Sequence, residues 1–246
     1  MRQETEGIVL STTRFGDNRL VVNMYTRLEG KRGFLVRLPS KAGGKMRLSY
    51  FFPMNQLELC YDSSRHGSDL SYLSEAKLAY VYREMHADIR KSSVACFLAE
   101  VMGRCIMESE QDVCFYDKIS AALRQFDTRQ RGISEFHLFF LLALADSLGF
   151  YPQAETHPAD VYFDLREGCF VSVPPVHEDF LRGEAARDLA LLLQARNQSL
   201  DGFPEISLFD SSRRHALLQA LSSYCRIQSG ISGSFKSMEV LREVFR

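Results

Sequence analysis

Within the first 78 residues, apolar and polar positions alternate with a period of two in short runs. Gly7 to Leu10 and Leu20 to Tyr25 are apolar, β-branched stretches. Phe34, Val36 and Leu38 are interleaved with Leu35 and Arg37, and Leu57, Leu59 and Tyr61 with Glu58 and Cys60. A fifth run begins around Leu70 and Tyr72. Such alternation is the pattern of a strand with one buried face. Turn-forming residues separate the runs: Phe15 to Asn18, Glu29-Gly30, Pro39 to Gly44 and Ser63 to Ser68. Five short strands with these breaks predict a small closed barrel. Five is the strand count of the OB-fold, which commonly binds nucleic acid.

From about Asp88 the period changes to 3.6. Asp88 is placed to cap a helix reaching Glu108, with Val94, Phe97, Leu98, Val101, Met102 and Cys105 on one stripe. A second helix starts at Gln111 or Asp112 and carries Val113, Tyr116, Ile119, Leu123 and Phe126. Ser134 reads as the N-cap of a third, which stops at Gly149. This third helix is apolar on nearly every side, which predicts a central place in a bundle. Residues 150–178 break the pattern with Pro152, Pro158, Pro174 and Pro175. Val161 to Leu165 and Cys169 to Val173 read as a small hairpin across Arg166-Glu167-Gly168. Helices resume at Glu184 to Ala195, at Ser211 to Arg226 behind Asp210, and at Ser237 to Arg246.

The expected architecture is therefore α+β. A barrel over 1–79 is followed by a mainly helical domain over 80–246, with 150–178 as a hairpin insertion. Overall composition adds little, because 46% apolar and 25% charged residues are ordinary for a globular chain. No apolar run approaches the length of a membrane span, and the N-terminus has no signal-peptide pattern, so a cytoplasmic protein is expected. The six cysteines are 36, 9, 9, 55 and 56 positions apart and form no C-x-x-C pair. That spacing fits neither a zinc nor a disulfide framework, and reduced thiols are expected.

The distribution of charge changes the picture more than its total of −1. Residues 1–78 hold 12 Lys/Arg and 8 Asp/Glu, whereas the remainder holds 18 and 23. Between positions 14 and 47 stand Arg14, Arg19, Arg27, Lys31, Arg32, Arg37, Lys41, Lys45 and Arg47, against only Asp17 and Glu29. A cationic groove of this kind tracks phosphates and releases counterions without regard to base sequence. Phe15, Tyr25, Phe34, Tyr50, Phe51 and Phe52 are interleaved with these cations. Some are candidates for stacking on bases, although each alone is better read as barrel core.

Catalytic patterns are missing. Gly43-Gly44-Lys45 is followed by Met46, where a phosphate loop needs Ser or Thr for Mg²⁺. There is no H-E-x-x-H and no G-x-S-x-G. Glu108, Glu110 and Asp112 cluster at a helix connection, where a solvated loop is the better reading than a metal-dependent nuclease. No enzyme, metal or cofactor is expected. An RNA-binding OB-fold protein is the alternative binding reading.

Several segments taken in order resemble the RecO family of bacterial DNA-repair and recombination mediators. They are Glu6-Gly7-Ile8-Val9-Leu10, Arg14-Phe15-Gly16-Asp17, Tyr25-Thr26-Arg27 with Glu29-Gly30-Lys31, and the basic loop Ser40 to Arg47. Leu148-Gly149-Phe150 and Phe235-Lys236-Ser237 are similar to the family's later motifs. The resemblance implies an N-terminal OB-fold and a helical domain. It implies a nucleoid-associated protein that binds single- and double-stranded DNA and anneals strands. Such a protein works with RecR, contacts the acidic C-terminal tail of single-stranded-DNA-binding protein, and helps load RecA. Many members carry a four-cysteine zinc finger where this chain has Cys169 alone, so zinc is not expected here. Some members begin the central Phe-containing segment with two arginines, and here Leu138 and Phe139 stand in those places. A tail pocket would then take its cations from Arg104, Arg129 or Arg131 and its apolar wall from Phe136, Phe139 and Phe140.

Overall fold

A computed structural model of the chain describes residues 2–16, 18–38, 46–62, 70–107, 111–153 and 162–246. Five strands form its first part: β1 (Arg2–Arg14), β2 (Arg19–Thr26), β3 (Gly30–Arg37), β4 (Gln56–Asp62) and β5 (Leu70–Leu78). They close into a barrel in the order β1-β2-β3-β5-β4. All neighbours are antiparallel except β3 and β5, which run parallel from Gly33↔Leu70 to Val36↔Leu73. This is the five-stranded OB-fold expected from the alternation. Every second side chain points inward, so Leu20, Val22, Met24, Phe34, Val36, Leu57, Leu59, Tyr61 and Leu73 form one core. Burying an aliphatic or aromatic side chain contributes about 1.5–3 kcal/mol, enough for this alternation to set the register. One turn of 3-10 helix over Leu48–Phe51 brings Phe51 to the core's edge.

Helix α1 (Ile89–Cys105) starts where the Asp88 carboxylate accepts the Arg90 N–H, as its sequence predicts. Helix α2 (Val113–Thr128) starts where Asp112 accepts the Phe115 N–H. Both belong with the barrel, because the chain divides into compact units of residues 1–128 and 129–246. Tyr25 packs on Phe115 and Tyr116 of α2, with ring centroids 5.7 and 6.2 Å away. Gln56, fully buried on β4, is held at both ends of its amide. Its Nε2 donates to the Tyr82 hydroxyl and the Ser120 carbonyl, and its Oε1 accepts from Ser120 and Arg124. Asp127, also fully buried, accepts backbone N–H groups from Arg83, Glu84 and Met85, fixing the segment between barrel and α1.

The second unit holds α3 (Phe136–Ser147), α4 (Glu184–Gln198), α5 (Ser211–Gln228) and α6 (Ser237–Val244). Every residue of α3 from Phe136 to Ala145 is buried, as its uniform apolarity requires. Its end is a Schellman turn. Phe150 N–H reaches the Ala145 carbonyl, Gly149 N–H reaches the Asp146 carbonyl, and Gly149 takes the left-handed conformation at φ 80°. Its start differs from the expectation. The helix begins after Glu135 rather than Ser134, and the Glu135 carboxylate accepts N–H groups from Leu208 and Phe209 instead of capping α3. The expected hairpin is present as β6 (Tyr162–Asp164) and β7 (Cys169–Val171), and β8 (Phe180–Leu181) joins the other side of β6.

Candidate nucleic-acid interface

The outward-facing residues of β2 and β3 divide into two ends. At the helical end, Tyr25 is covered by α2, and burial pushes its hydroxyl pKa up to about 12. Lys31 points at the C-terminus of α1. Its ammonium donates to the carbonyls of Gly103 (2.6 Å) and Ile106 (2.8 Å). These carbonyls have no intrahelical partner, and a cation there also meets the negative end of the helix dipole. Burial lowers the Lys31 pKa from its usual value. Arg27 makes a two-pronged bond to Asp117, at 2.8 and 2.9 Å. Arg32, which shares the inward parity of Phe34 and Val36, bonds the buried Ser71 and pairs with Glu29.

At the far end the strands are open. Thr13, Val21, Leu35 and Tyr72 are register partners in one row across β1, β2, β3 and β5. Val21 and Leu35 are half-buried, whereas Tyr72 is exposed. The adjoining row puts Arg19 directly opposite Arg37. Among the described residues, Arg14, Arg19 and Arg37 make no ion pair, and all three are exposed. Like charges directly opposite each other destabilise a sheet. Here they flank a hollow lined by Phe15, Gly16, Asn18, Arg19 and Arg37. Arg47, just before the 3-10 turn, is exposed as well. The barrel's other outer face has the opposite character, a cleft where Glu4, Glu6, Glu58 and Glu75 outnumber Arg2, Arg27 and Lys77.

The nine cations singled out in the sequence therefore separate. Arg27, Lys31 and Arg32 are bonded within the fold. Arg14, Arg19, Arg37 and Arg47 face solvent. Lys41 and Lys45 lie outside the described residues. Val21, Leu35 and Tyr72 were not singled out. The signal for them is parity: once Ser71 and Leu73 point inward, Tyr72 between them must point out, beside Leu35.

The residues expected to build a partner pocket are placed differently from that expectation. Phe136, Phe139 and Phe140 are fully buried, so they cannot line an open groove in this structure. Arg129 is only 2% exposed. It donates to the carbonyls of Phe203 (2.7 Å) and Pro204 (3.2 Å) and lies over the Phe136 ring. Burial lowers its pKa. Arg104 belongs to the first unit, beside Glu100 on α1, and only Arg131 is exposed. Of the acidic trio, Asp112 caps α2, whereas Glu108 and Glu110 lie outside the described residues. Among the described residues, no three His, Cys, Asp or Glu side chains gather as a metal site. No described helix is long and apolar enough to cross a membrane.

These features define an OB-fold barrel protein with a helical second unit. Comparison with known families makes the definition specific. The family described as Recombination protein O N terminal matches residues 1–82, and Recombination protein O C terminal matches residues 86–239. The chain is 34% identical to the DNA repair protein RecO of Phocaeicola vulgatus and 30% identical to that of Bacteroides fragilis, each over 100% of both chains. The RecO of Flavobacterium johnsoniae is 28% identical, again over 100% of both chains. The chain belongs to the RecO family of DNA repair proteins.

Proposed function

We propose that this protein is a non-catalytic recombination mediator. It binds single- and double-stranded DNA on the open end of the barrel and anneals complementary strands. Together with RecR it helps RecA replace the single-stranded-DNA-binding protein, whose acidic tail it contacts. The observation carrying the DNA-binding part is the Arg19–Arg37 pair, two adjacent cations with no counter-ion among the described residues, beside an exposed aromatic. Phosphates supply the missing negative charge, and the fold tolerates the repulsion because both side chains extend into water. Arg14 and Arg47 extend the track, and Lys41 and Lys45 are proposed as further phosphate contacts. Membership of the RecO family supports the annealing and loading steps.

The test is annealing of complementary strands coated with single-stranded-DNA-binding protein, together with a salt titration of oligonucleotide affinity. If four phosphates are neutralised on single strands, log affinity falls against log salt with a slope of about −3. Salt-independent affinity, or no annealing of coated strands, would remove this reading.

A further inference from the structure

The hollow at the turn between β1 and β2 has a shape and a lining that positive charge alone does not explain. Phe15, 61% exposed, lines it together with Arg19 and Arg37. Backbone bonds hold the lining in place. Phe15 N–H donates to the Arg19 carbonyl (2.9 Å), and Leu38 N–H donates to the Asn18 carbonyl (2.8 Å). Gly16 turns the chain between them in the left-handed region at φ 75°. Apart from its two chain neighbours, no described residue comes within 4 Å of the place its Cβ would occupy. An exposed phenyl ring on a protein surface normally costs solvation, and here it lines the same hollow as two arginines that make no ion pair among the described residues. An aromatic ring and cations side by side match the two halves of a nucleotide, a base with a π-face and a phosphate.

We propose that this hollow receives one unpaired nucleotide, with its base stacked on Phe15 and its phosphate held by Arg19 and Arg37. The inference rests on the DNA-binding reading and adds to it a subsite that reads strandedness. The hollow's volume, 340 Å³, lies at the small end of ligand clefts, roughly 300–1,000 Å³, which suits one nucleotide rather than a run. A base inside a duplex already has neighbours on both faces and must leave its stack to reach Phe15. Duplex therefore engages the arginines alone, whereas a single strand engages the arginines and the ring.

The chain contains no tryptophan, so Phe15→Trp creates a single fluorescent reporter at the subsite. The probes are oligothymidine, an abasic strand of equal length and a duplex. The expected result is quenching of Trp emission by oligothymidine but not by the abasic strand, with little quenching by duplex. Phe15→Ala should weaken oligothymidine binding about tenfold, the contribution of one stacked base, and leave abasic and duplex binding unchanged. Its circular dichroism melt should match the parent's, since the ring is mostly exposed. Arg19→Ala with Arg37→Ala should weaken all three probes. Saturable oligothymidine binding with unquenched Trp emission overturns the proposal, as does an unchanged affinity in Phe15→Ala. If the double arginine variant binds all three probes like the parent, the DNA-binding reading of this face fails as well. If only that variant weakens binding, the reading stands and the stacking subsite does not.

Discussion

Lys31 and Arg37 lie six positions apart on β3 and point to the same side of the barrel, yet they serve different ends. Lys31 meets the end of α1 and has its charge spent on two helix carbonyls. Arg37 stands opposite Arg19 across the strand pair, exposed and without an ion pair among the described residues. The same contrast separates Tyr25, stacked under α2, from Tyr72, which lies open on β5. A run of cations in a sequence thus states how much positive charge a region carries, but not how much of it is available. Availability is decided by where helix ends land, because a cation satisfied by fixed carbonyls in a half-buried site gains little by exchanging them for a phosphate.

Four variants sharpen or break this contrast, and the largest effect is expected away from the barrel. Arg129 is the second unit's member of the anchored class, buried over Phe136 and bonded to two carbonyls. Arg129→Glu places a carboxylate against those carbonyls and should cost roughly 4 kcal/mol in urea unfolding. A folded, stable Arg129→Glu protein would show that the guanidinium is dispensable there. Lys31→Met comes next. It leaves two helix carbonyls without their donor and should cost about 2 kcal/mol, while oligonucleotide affinity and its salt slope stay near the parent's. A shallower slope in Lys31→Met would place this lysine among the DNA-contacting cations and dissolve the contrast.

Arg19→Ala with Arg37→Ala should behave in the reverse manner. Stability holds, since a like-charge pair is relieved, while the single-strand salt slope becomes shallower by about 0.7, the share of the one phosphate that the two arginines hold. A drop in stability with an unchanged slope would mean that these arginines belong to the fold. The smallest effect is expected for Arg27→Gln, which breaks an exposed pair with Asp117. Its unfolding midpoint should be indistinguishable from the parent's, because exposed pairs are screened and entropically costly. A clear shift would show that this pair anchors α2 to the barrel.

Much of the fold is legible in the sequence because burial imposes a period. Phe34 and Val36 alternate with Leu35 and Arg37, and the strand is where the alternation puts it. Asp88 and Gly149 mark helix ends by local bonds, and both do so here. What escapes the sequence is non-local. The parallel pairing of β3 with β5 joins residues almost 40 positions apart. Ser134 has the composition of a cap, but nothing nearby in sequence announces that Glu135 will bond the backbone of Leu208 and Phe209. The candidate site divides in the same way. Its charge could be counted in advance, whereas the burial of Phe136, Phe139 and Phe140 depends on elements far along the chain. Uniform apolarity predicted that α3 is central, and that centrality is what removes its phenylalanines from any open surface.

The Gln56 amide has a practical consequence for anyone who wants the barrel alone. A fragment ending at residue 79 contains Gln56 but lacks Tyr82, Ser120 and Arg124, and it strips the cover from Tyr25 and the carbonyls from Lys31. Such a fragment is expected to accumulate in inclusion bodies and to be digested quickly by trypsin. A fragment ending at residue 128 carries every one of these groups and is expected to remain in the soluble fraction of a lysate. Its yield therefore depends on two helices that follow the last strand of the barrel.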